Sequence, residues 1–353
     1  MNKTGEALIV SLWALLLLEI APLPAVATEP GKSLDLALPT ANTALLEDKP
    51  EDFYQFVDRD FNGVKTTPWE GGQYGFVRNP MMTREGLVYE HFHEGIDIKP
   101  VSRDASGFPL DDVRAIADGR VVHASSNPHW SNYGNYVVVE HLFGGCRYYS
   151  LYAHLNKITA AVGTPVKKGD KIGVLGFTGE GIDQRRAHLH LELNLMLSPN
   201  FEVWHQAYFP TEINRHGIYN GLNLAGIDIA ALYLALQKNP ALTLPEFLAR
   251  SEPMFKVAVP SSWKIHVARF YPWLVAPSRN PGAPSLEIEF DASGIPLKIT
   301  QGDKKVTEPE LTSIKRSNLS YSILTRGLVT GSGDRHHLSE NGMRYLRLLA
   351  EPQ

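Results

Sequence analysis

HLHLELN, residues 188–194, decides the fold class, because histidine or glutamate alternates with leucine along it. Side chains on a β-strand point to opposite faces in turn, so His188, His190 and Glu192 share one face while Leu189, Leu191 and Leu193 share the other. The stretch therefore reads as a strand with an apolar back set into a core and two imidazoles side by side on its front. Runs of the same texture precede it, at AIADGRVVHA (115–124), NYVVVEH (135–141), CRYYSLYAH (146–154) and KIGVLG (171–176). This spacing predicts an antiparallel sheet domain over 76–200, with Asp118-Gly119 and Gly144-Gly145 as hairpin turns.

Beyond Pro199 the pattern changes. IDIAALYLALQKN (227–239) has helical spacing, LTLPEFLAR (242–250) reads as a short helix, and SLEIEFDASGIPLKIT (285–300) as a hairpin turned at Ala292–Gly294; Asn341–Leu349 reads as a further helix. Residues 201–353 are thus expected to be an α+β accessory region of unassigned role. Residues 28–75 form an N-terminal segment with a short helix expected over Glu51–Asp58. At the start, Lys3, the apolar run ALIVSLWALLLL (7–18) and Ala25-Val26-Ala27 predict a signal peptide, residues 1–27, cleaved after Ala27. That apolar run falls short of the roughly 20 residues that span a bilayer. The product is expected to be extracytoplasmic, periplasmic or secreted, with no stable membrane span after cleavage.

The chain has 353 residues, which suggests two domains. Its 34 Lys and Arg against 38 Asp and Glu lack the basic excess that nucleic acid demands. The single cysteine, Cys146, excludes an internal disulfide and any zinc site needing two thiolates, and reads as a small buried hydrophobe. Any metal must therefore sit on His, Asp or Glu. Nothing in these patterns fixes an oligomeric state.

Eight of the 13 histidines lie between His91 and His190, inside the sheet segment. In HFHEGIDIKP, His93 and Asp97 are four apart, with Gly95 between them to let the backbone bend so that both side chains converge. In YAHL, Tyr152 and His154 end a strand that could run beside HLHLELN. A hydrolytic zinc takes three protein ligands and keeps its fourth position for a water whose pKa it lowers to ~7. His93, Asp97 and one of His188 and His190 supply that number. The other histidine of the pair and His154 are left to handle protons. Alternation alone does not choose between His188 and His190. His141 reads as a packed or hydrogen-bonded group, and His91, His123, His129, His205 and His216 as surface or loop residues. Glu192 reads equally as a support for a histidine or as a solvated carboxylate.

With these residues assembled, the segment closely resembles the lysostaphin/LytM-type zinc metalloendopeptidases that cut peptidoglycan peptides. Arg78 and Pro80, the H-x-G-x-D element (His93, Gly95, Asp97), AIADGRVV, YGNYVVVEH, YAHL, VKKGDKIGVLG, the G-x-T-G turn (Gly176, Thr178, Gly179) and HLHLEL occur in the family's order over about 120 residues. The resemblance implies a mainly β catalytic domain, an antiparallel sheet of the LytM or duplicated-hybrid-motif kind. It further implies one Zn2+ per chain on His93, Asp97 and His190, with His154 and His188 as catalytic histidines, and peptidoglycan cross-links or stem peptides as substrate. A non-catalytic cell-wall-binding or amidase-activating relative is the alternative. Two stretches depart from the family: KPVSRDASGFPLDDVR (99–114) is longer, and EGIDQRRA (180–187) replaces a short approach to the HLH strand. Arg185 and Arg186, set near the cleft by that change, and Tyr152 are weak substrate-binding candidates.

Overall fold

A computed structural model describes residues 34–55, 60–278 and 280–351; the expected signal peptide lies outside them. The structure is mostly antiparallel β-sheet with few helices. Nine strands frame the site. A hairpin of β1 (Gly75–Thr83) and β2 (Gly86–His93) leads into β3 (Ile96–Ile98), followed by β4 (Gly119–Ser125), β5 (Tyr136–Phe143), β6 (Cys146–Ala153), β7 (Pro165–Val166), β8 (Leu189–Met196) and β9 (Leu224–Ile227). The main sheet runs β7-β4-β5-β6-β8-β9, and β3 also pairs with β8.

Alternation in β8 works as read. Leu189, Leu191, Leu193 and Leu195 are fully buried in the larger apolar core, beside Ile96 and Ile98 of β3 and Val137 and Val139 of β5. Gly144-Gly145 turns β5 into β6 with positive φ at both residues, the geometry glycine adopts without steric cost. Asp118-Gly119 does not turn a hairpin. The preceding strand, Asp112–Arg114, pairs with Lys171–Val174 in a separate three-stranded sheet, and the Asp118 carboxylate is taken by the Lys168 amide and the Lys167 ammonium.

The expected helix Glu51–Asp58 is shorter, Pro50–Phe53, and residues 56–59 lie outside the described set. Its end is dictated by β3: Tyr54 bridges Ile98, the Gln55 amide donates to the Asp97 carbonyl, and the Lys99 amide donates to that of Phe53. An edge strand thus outcompetes the last helical turn. Helices Ile229–Lys238, Leu244–Leu248 and Glu340–Leu349 and the hairpin Ser285–Phe290/Pro296–Gly302 form where periodicity placed them.

The boundary expected at residue 200 is not a break in packing. Strand β9 adds to the main sheet against β8, with Leu193 opposite Ile227 and Met196 opposite Leu224. The far C-terminal sheet, built from Phe255–Pro260, Ser285–Phe290, Pro296–Gly302 and Glu310–Ile314, shares one continuous apolar core with β8. Tyr271 ties the halves together: its hydroxyl donates to the Arg147 carbonyl at 2.7 Å and accepts from the Met196 amide at 2.9 Å. Tyr271→Phe should cost about 1–3 kcal/mol by stranding both buried groups. Urea denaturation should show it as a lower midpoint of a transition shared by probes in both halves.

Candidate metal centre and active site

The pairing of β3 with β8 sets Asp97 directly opposite His190. One neighbour further, β6 sets Ala153 beside His190, so His154 follows immediately at the strand end. His93 closes β2 and is joined to Asp97 by the Glu94-Gly95 turn. Gly95 is required for space: a Cβ there would stand 2.3 Å from the Leu191 carbonyl oxygen. The freedom of backbone expected of it is not what the fold uses.

Three donor atoms converge. His93 Nε2 lies 3.0 Å from His190 Nδ1 and 3.2 Å from Asp97 Oδ1, and His190 Nδ1 lies 3.0 Å from Asp97 Oδ1. Ligands about 2.0–2.1 Å from a tetrahedral ion stand roughly 3.3 Å apart, so the triangle has the size zinc requires. The outward nitrogens fix which inner ones carry lone pairs. His93 Nδ1 meets the Gln73 carbonyl at 2.7 Å, and His190 Nε2 meets Glu192 Oε1 at 2.8 Å. With protons on those outer atoms, both inner nitrogens and the Asp97 oxygen aim lone pairs at one point, an arrangement that calls for a cation. Among the described residues this is the single His/Cys/Asp/Glu group of metal-binding geometry.

Electrostatics suit the same reading. Burial would raise the Asp97 carboxyl, but its interactions with His188, His93 and the Arg78 guanidinium outweigh that and hold it well below the usual carboxylate range. Arg78 donates to Asp97 Oδ2 at 2.6 Å, leaving Oδ1 for the cluster. Burial likewise opposes ionisation of Glu192, yet bonds from His190, Tyr133 and Asn194 hold its carboxyl below its ordinary value. For His190, burial pulls the pKa down, but hydrogen bonds to Asp97 and Glu192 push it up to about 9. Burial keeps His93 neutral, lowering its pKa.

His154 and His188 flank this triangle in equivalent ways. His154 Nδ1 is bound to the Thr178 carbonyl at 2.9 Å and His188 Nδ1 to the Arg186 carbonyl at 2.6 Å. The second nitrogen of each ring is Nε2, and that of His188 lies 3.4 Å from Asp97 Oδ1. Their rings meet edge to face at 4.6 Å between centroids. His154 has φ +62°, a left-handed conformation rare outside glycine, which swings its ring off the strand end. Burial, then the neighbouring His188 and His190, hold its pKa well below the ordinary histidine value, so it is neutral and able to accept a proton.

Other candidates separate. Tyr152 lies opposite Leu191 on the core face, fully buried, with its hydroxyl accepting from the Ile116 amide and the Ser150 hydroxyl. It is thus enclosed in the core, while His154, two residues on, turns off the strand end to the other histidines. Arg185 extends into solvent against Asp183, whereas Arg186 bonds the Gly181 carbonyl and so shapes the turn whose carbonyl holds His188. The two departing stretches meet here: Arg103 donates to the Gln184 carbonyl, Gln184 donates to that of Ser106, and Phe108 packs on Phe177. His141 is bonded within the fold, to the Asp118 carbonyl and Ser150. His91 and His129 are exposed as read. His205 is buried between Phe201 and Phe209, and His123 and His216 both bond the Tyr136 hydroxyl, so these three are not free surface groups. Glu192 is buried rather than solvated. Tyr133, which donates to Glu192 Oε1 at 2.7 Å, carries no signal of that role in sequence beyond its place in YGNYVVVEH.

Residues 91–199 match the model of Peptidase family M23. An uncharacterized metalloprotease of Buchnera aphidicola subsp. Baizongia pistaciae is 35% identical over 102 residues, which is 29% of this chain and 23% of that protein. The peptidoglycan DD-endopeptidase ShyA of Vibrio cholerae is 41% identical over 81 residues, 23% of this chain and 17% of that protein. The chain thus aligns with under a quarter of the length of either curated relative. Among solved structures, the catalytic domain of the antimicrobial peptidase lysostaphin from Staphylococcus simulans is similar at 29% identity and a TM-score of 0.24, over 34% of this chain and 75% of that one.

The geometry around His190 makes two expectations measurable. Because a dication must displace the His190 proton, apparent zinc affinity should rise about tenfold per pH unit and level off above the pKa of about 9; chelator competition across that range reads the slope. Glu192→Gln should lower affinity by ~10–100-fold, through loss of the charged acceptor that orients His190.

Proposed function

We propose that this protein is an exported zinc metallopeptidase acting on peptidoglycan peptides. The observation that supports this best is the convergence of His93 Nε2, Asp97 Oδ1 and His190 Nδ1 with two further histidines turned to the same space. The M23 match over residues 91–199 and the DD-endopeptidase named among its relatives favour peptidoglycan as substrate. The apolar run 7–18 with Ala25-Val26-Ala27 favours export, and no helix among the described residues is long and apolar enough to cross a membrane.

In this reading His93, Asp97 and His190 hold the metal. Zinc bound there would supply Lewis acidity for the scissile carbonyl and acidify the attacking water. The chain's own groups do the rest. Arg78 keeps Asp97 ionised and turned, and Glu192 keeps His190 in the tautomer that presents Nδ1. One of His154 and His188 accepts the water proton at Nε2, and the other donates to the developing oxyanion or the leaving amine. Their Nδ1 bonds to main-chain carbonyls fix both rings beforehand. Arg185, exposed beside the cleft, is a candidate for gripping substrate carboxylates.

His190→Ala should abolish both zinc content and hydrolysis, whereas His154→Ala should keep stoichiometric zinc and lose ~10²-fold or more in turnover. Metal analysis paired with mass spectrometry of fragments released from sacculi, with and without chelator, decides. Stoichiometric zinc in His190→Ala would refute the ligand set, and intact sacculi with a separate amidase stimulated would favour the non-catalytic alternative.

A further inference from the structure

We infer that Arg326, in the C-terminal half, is a positioning residue for the metal site, because it holds the residues on both sides of His93 at once. The inference deepens the hydrolase reading above and rests on its ligand set. Phe92 precedes His93 at the end of β2, and Glu94 follows it into the turn that leads to Asp97. The Arg326 guanidinium pairs with the Glu94 carboxylate and lies 4.7 Å from the centre of the Phe92 ring. One side chain thus grips both neighbours of one ligand, on the turn that carries a second. Glu94 stands between two donors in sequence yet is not one of the converging three, its carboxylate being engaged by Arg326.

The grip is anchored at both ends. On the near side, Tyr74 and Phe76 each meet the Phe92 ring edge to face at 5.1 Å between centroids, and the Tyr74 hydroxyl donates to the Gly226 carbonyl at 2.7 Å. The Phe92 ring is therefore held by two rings and the guanidinium together. On the far side, Arg326 has φ +53° and Gly327 φ +78°. A left-handed backbone is unfavourable for a residue with a Cβ and persists only where its surroundings enforce it. They do so here. Thr325 is fully buried, its hydroxyl donating to the Tyr321 carbonyl at 2.6 Å and accepting from the Val329 amide at 3.0 Å, while the Gly327 amide donates to the Ser322 carbonyl at 2.8 Å. An ordinary surface ion pair joins two freely moving side chains and places neither. Arg326 and Glu94 are instead both half-buried, and each stands on backbone that other contacts fix, so the place of one sets the place of the other. Charge and placement act on the metal in opposite directions. Removing a cation beside a dication site strengthens binding where Coulomb attraction alone counts. Loosening the turn that spaces His93 from Asp97 weakens it.

The test measures zinc affinity of the full chain by chelator competition at one pH and one ionic strength, a readout that needs no catalysis. Arg326→Met, which removes the charge, should bind zinc ~10-fold more weakly. Affinity equal to or above that of the wild type overturns the inference and leaves the ligand set intact. Glu94→Gln should also weaken binding, and the double variant should be no weaker than the weaker single one, since both changes break the same contact. Additive losses overturn the inference. Tyr271→Phe loosens the two halves at the far end of β8, away from the turn, and should keep the wild-type affinity. An equal loss there would mean that affinity follows stability in general, and the assignment to Arg326 falls. Where Arg326→Met gives no folded protein, Arg326→Lys stands in: it keeps the charge without the flat stack on Phe92 and should bind ~3-fold more weakly, unchanged affinity overturning the inference. A wild-type chain that binds no zinc removes the ligand set, and the hydrolase reading falls with it.

Discussion

Everything at this site depends on the register between two strands, β3 and β8, which places Asp97 opposite His190. A strand has two faces, so a slip of one residue would turn Asp97 into the core and bring Ile96 or Ile98 to the metal face. Several bonds forbid the slip. The Gln55 amide holds the Asp97 carbonyl from the far side, Ile96 and Ile98 are fully buried against the leucines of β8, and Gly95 lets the preceding turn lie against the Leu191 carbonyl. A two-residue geometric relation thus converts an apolar pattern into a chemical site.

Placing two carboxylates and four histidines in a buried space is costly unless each charge is matched. Here the compensation is ordered outward from the centre. Arg78 answers one oxygen of Asp97, and Tyr133 and Asn194 answer Glu192, while main-chain carbonyls take the outer protons of His93, His154 and His188. His190 is held between the two carboxylates, Nδ1 on Asp97 and Nε2 on Glu192, and these bonds push its pKa up to about 9. In the reading proposed above, a divalent cation held by the three donors would compete with that proton. Affinity for metal and the cost of burying the carboxylates are therefore two sides of one balance.

Much of this was legible in HLHLELN and HFHEGIDIKP because alternation is a geometric law that holds wherever a strand forms. It put His188, His190 and Glu192 on one face, but by itself it would have set Tyr152 on the face of His154, two residues on; in the fold Tyr152 lies opposite Leu191 and His154, at φ +62°, turns off the strand end. The ends of elements were less legible. Asp118-Gly119 has the composition of a hairpin turn, yet its carboxylate is bonded to Lys167 and Lys168 and its neighbours pair elsewhere. Residues beyond Glu51 have helical composition, yet β3 offers an edge that Tyr54 takes. Tyr133 was beyond reach because its partner, Glu192, is 59 residues away. Local propensity carries no information about bonds of that range.

The same limit explains why the C-terminal half read only as an accessory region of unassigned role. Its helices and hairpin were visible, but its attachment is made by single groups at sites no periodicity marks. Gly226 lets β9 close so tightly on the turn between His93 and Asp97 that a Cβ there would stand 2.0 Å from the Glu94 carbonyl oxygen. Arg326, at φ +53°, pairs with the Glu94 carboxylate and lies 4.7 Å over the Phe92 ring. The turn joining two of the three converging donors is thereby boxed between β8, β9 and Arg326. A segment that packs against the ligand-bearing turn and also covers the sheet floor is joined to the site on two sides. It constrains where the three converging donors stand.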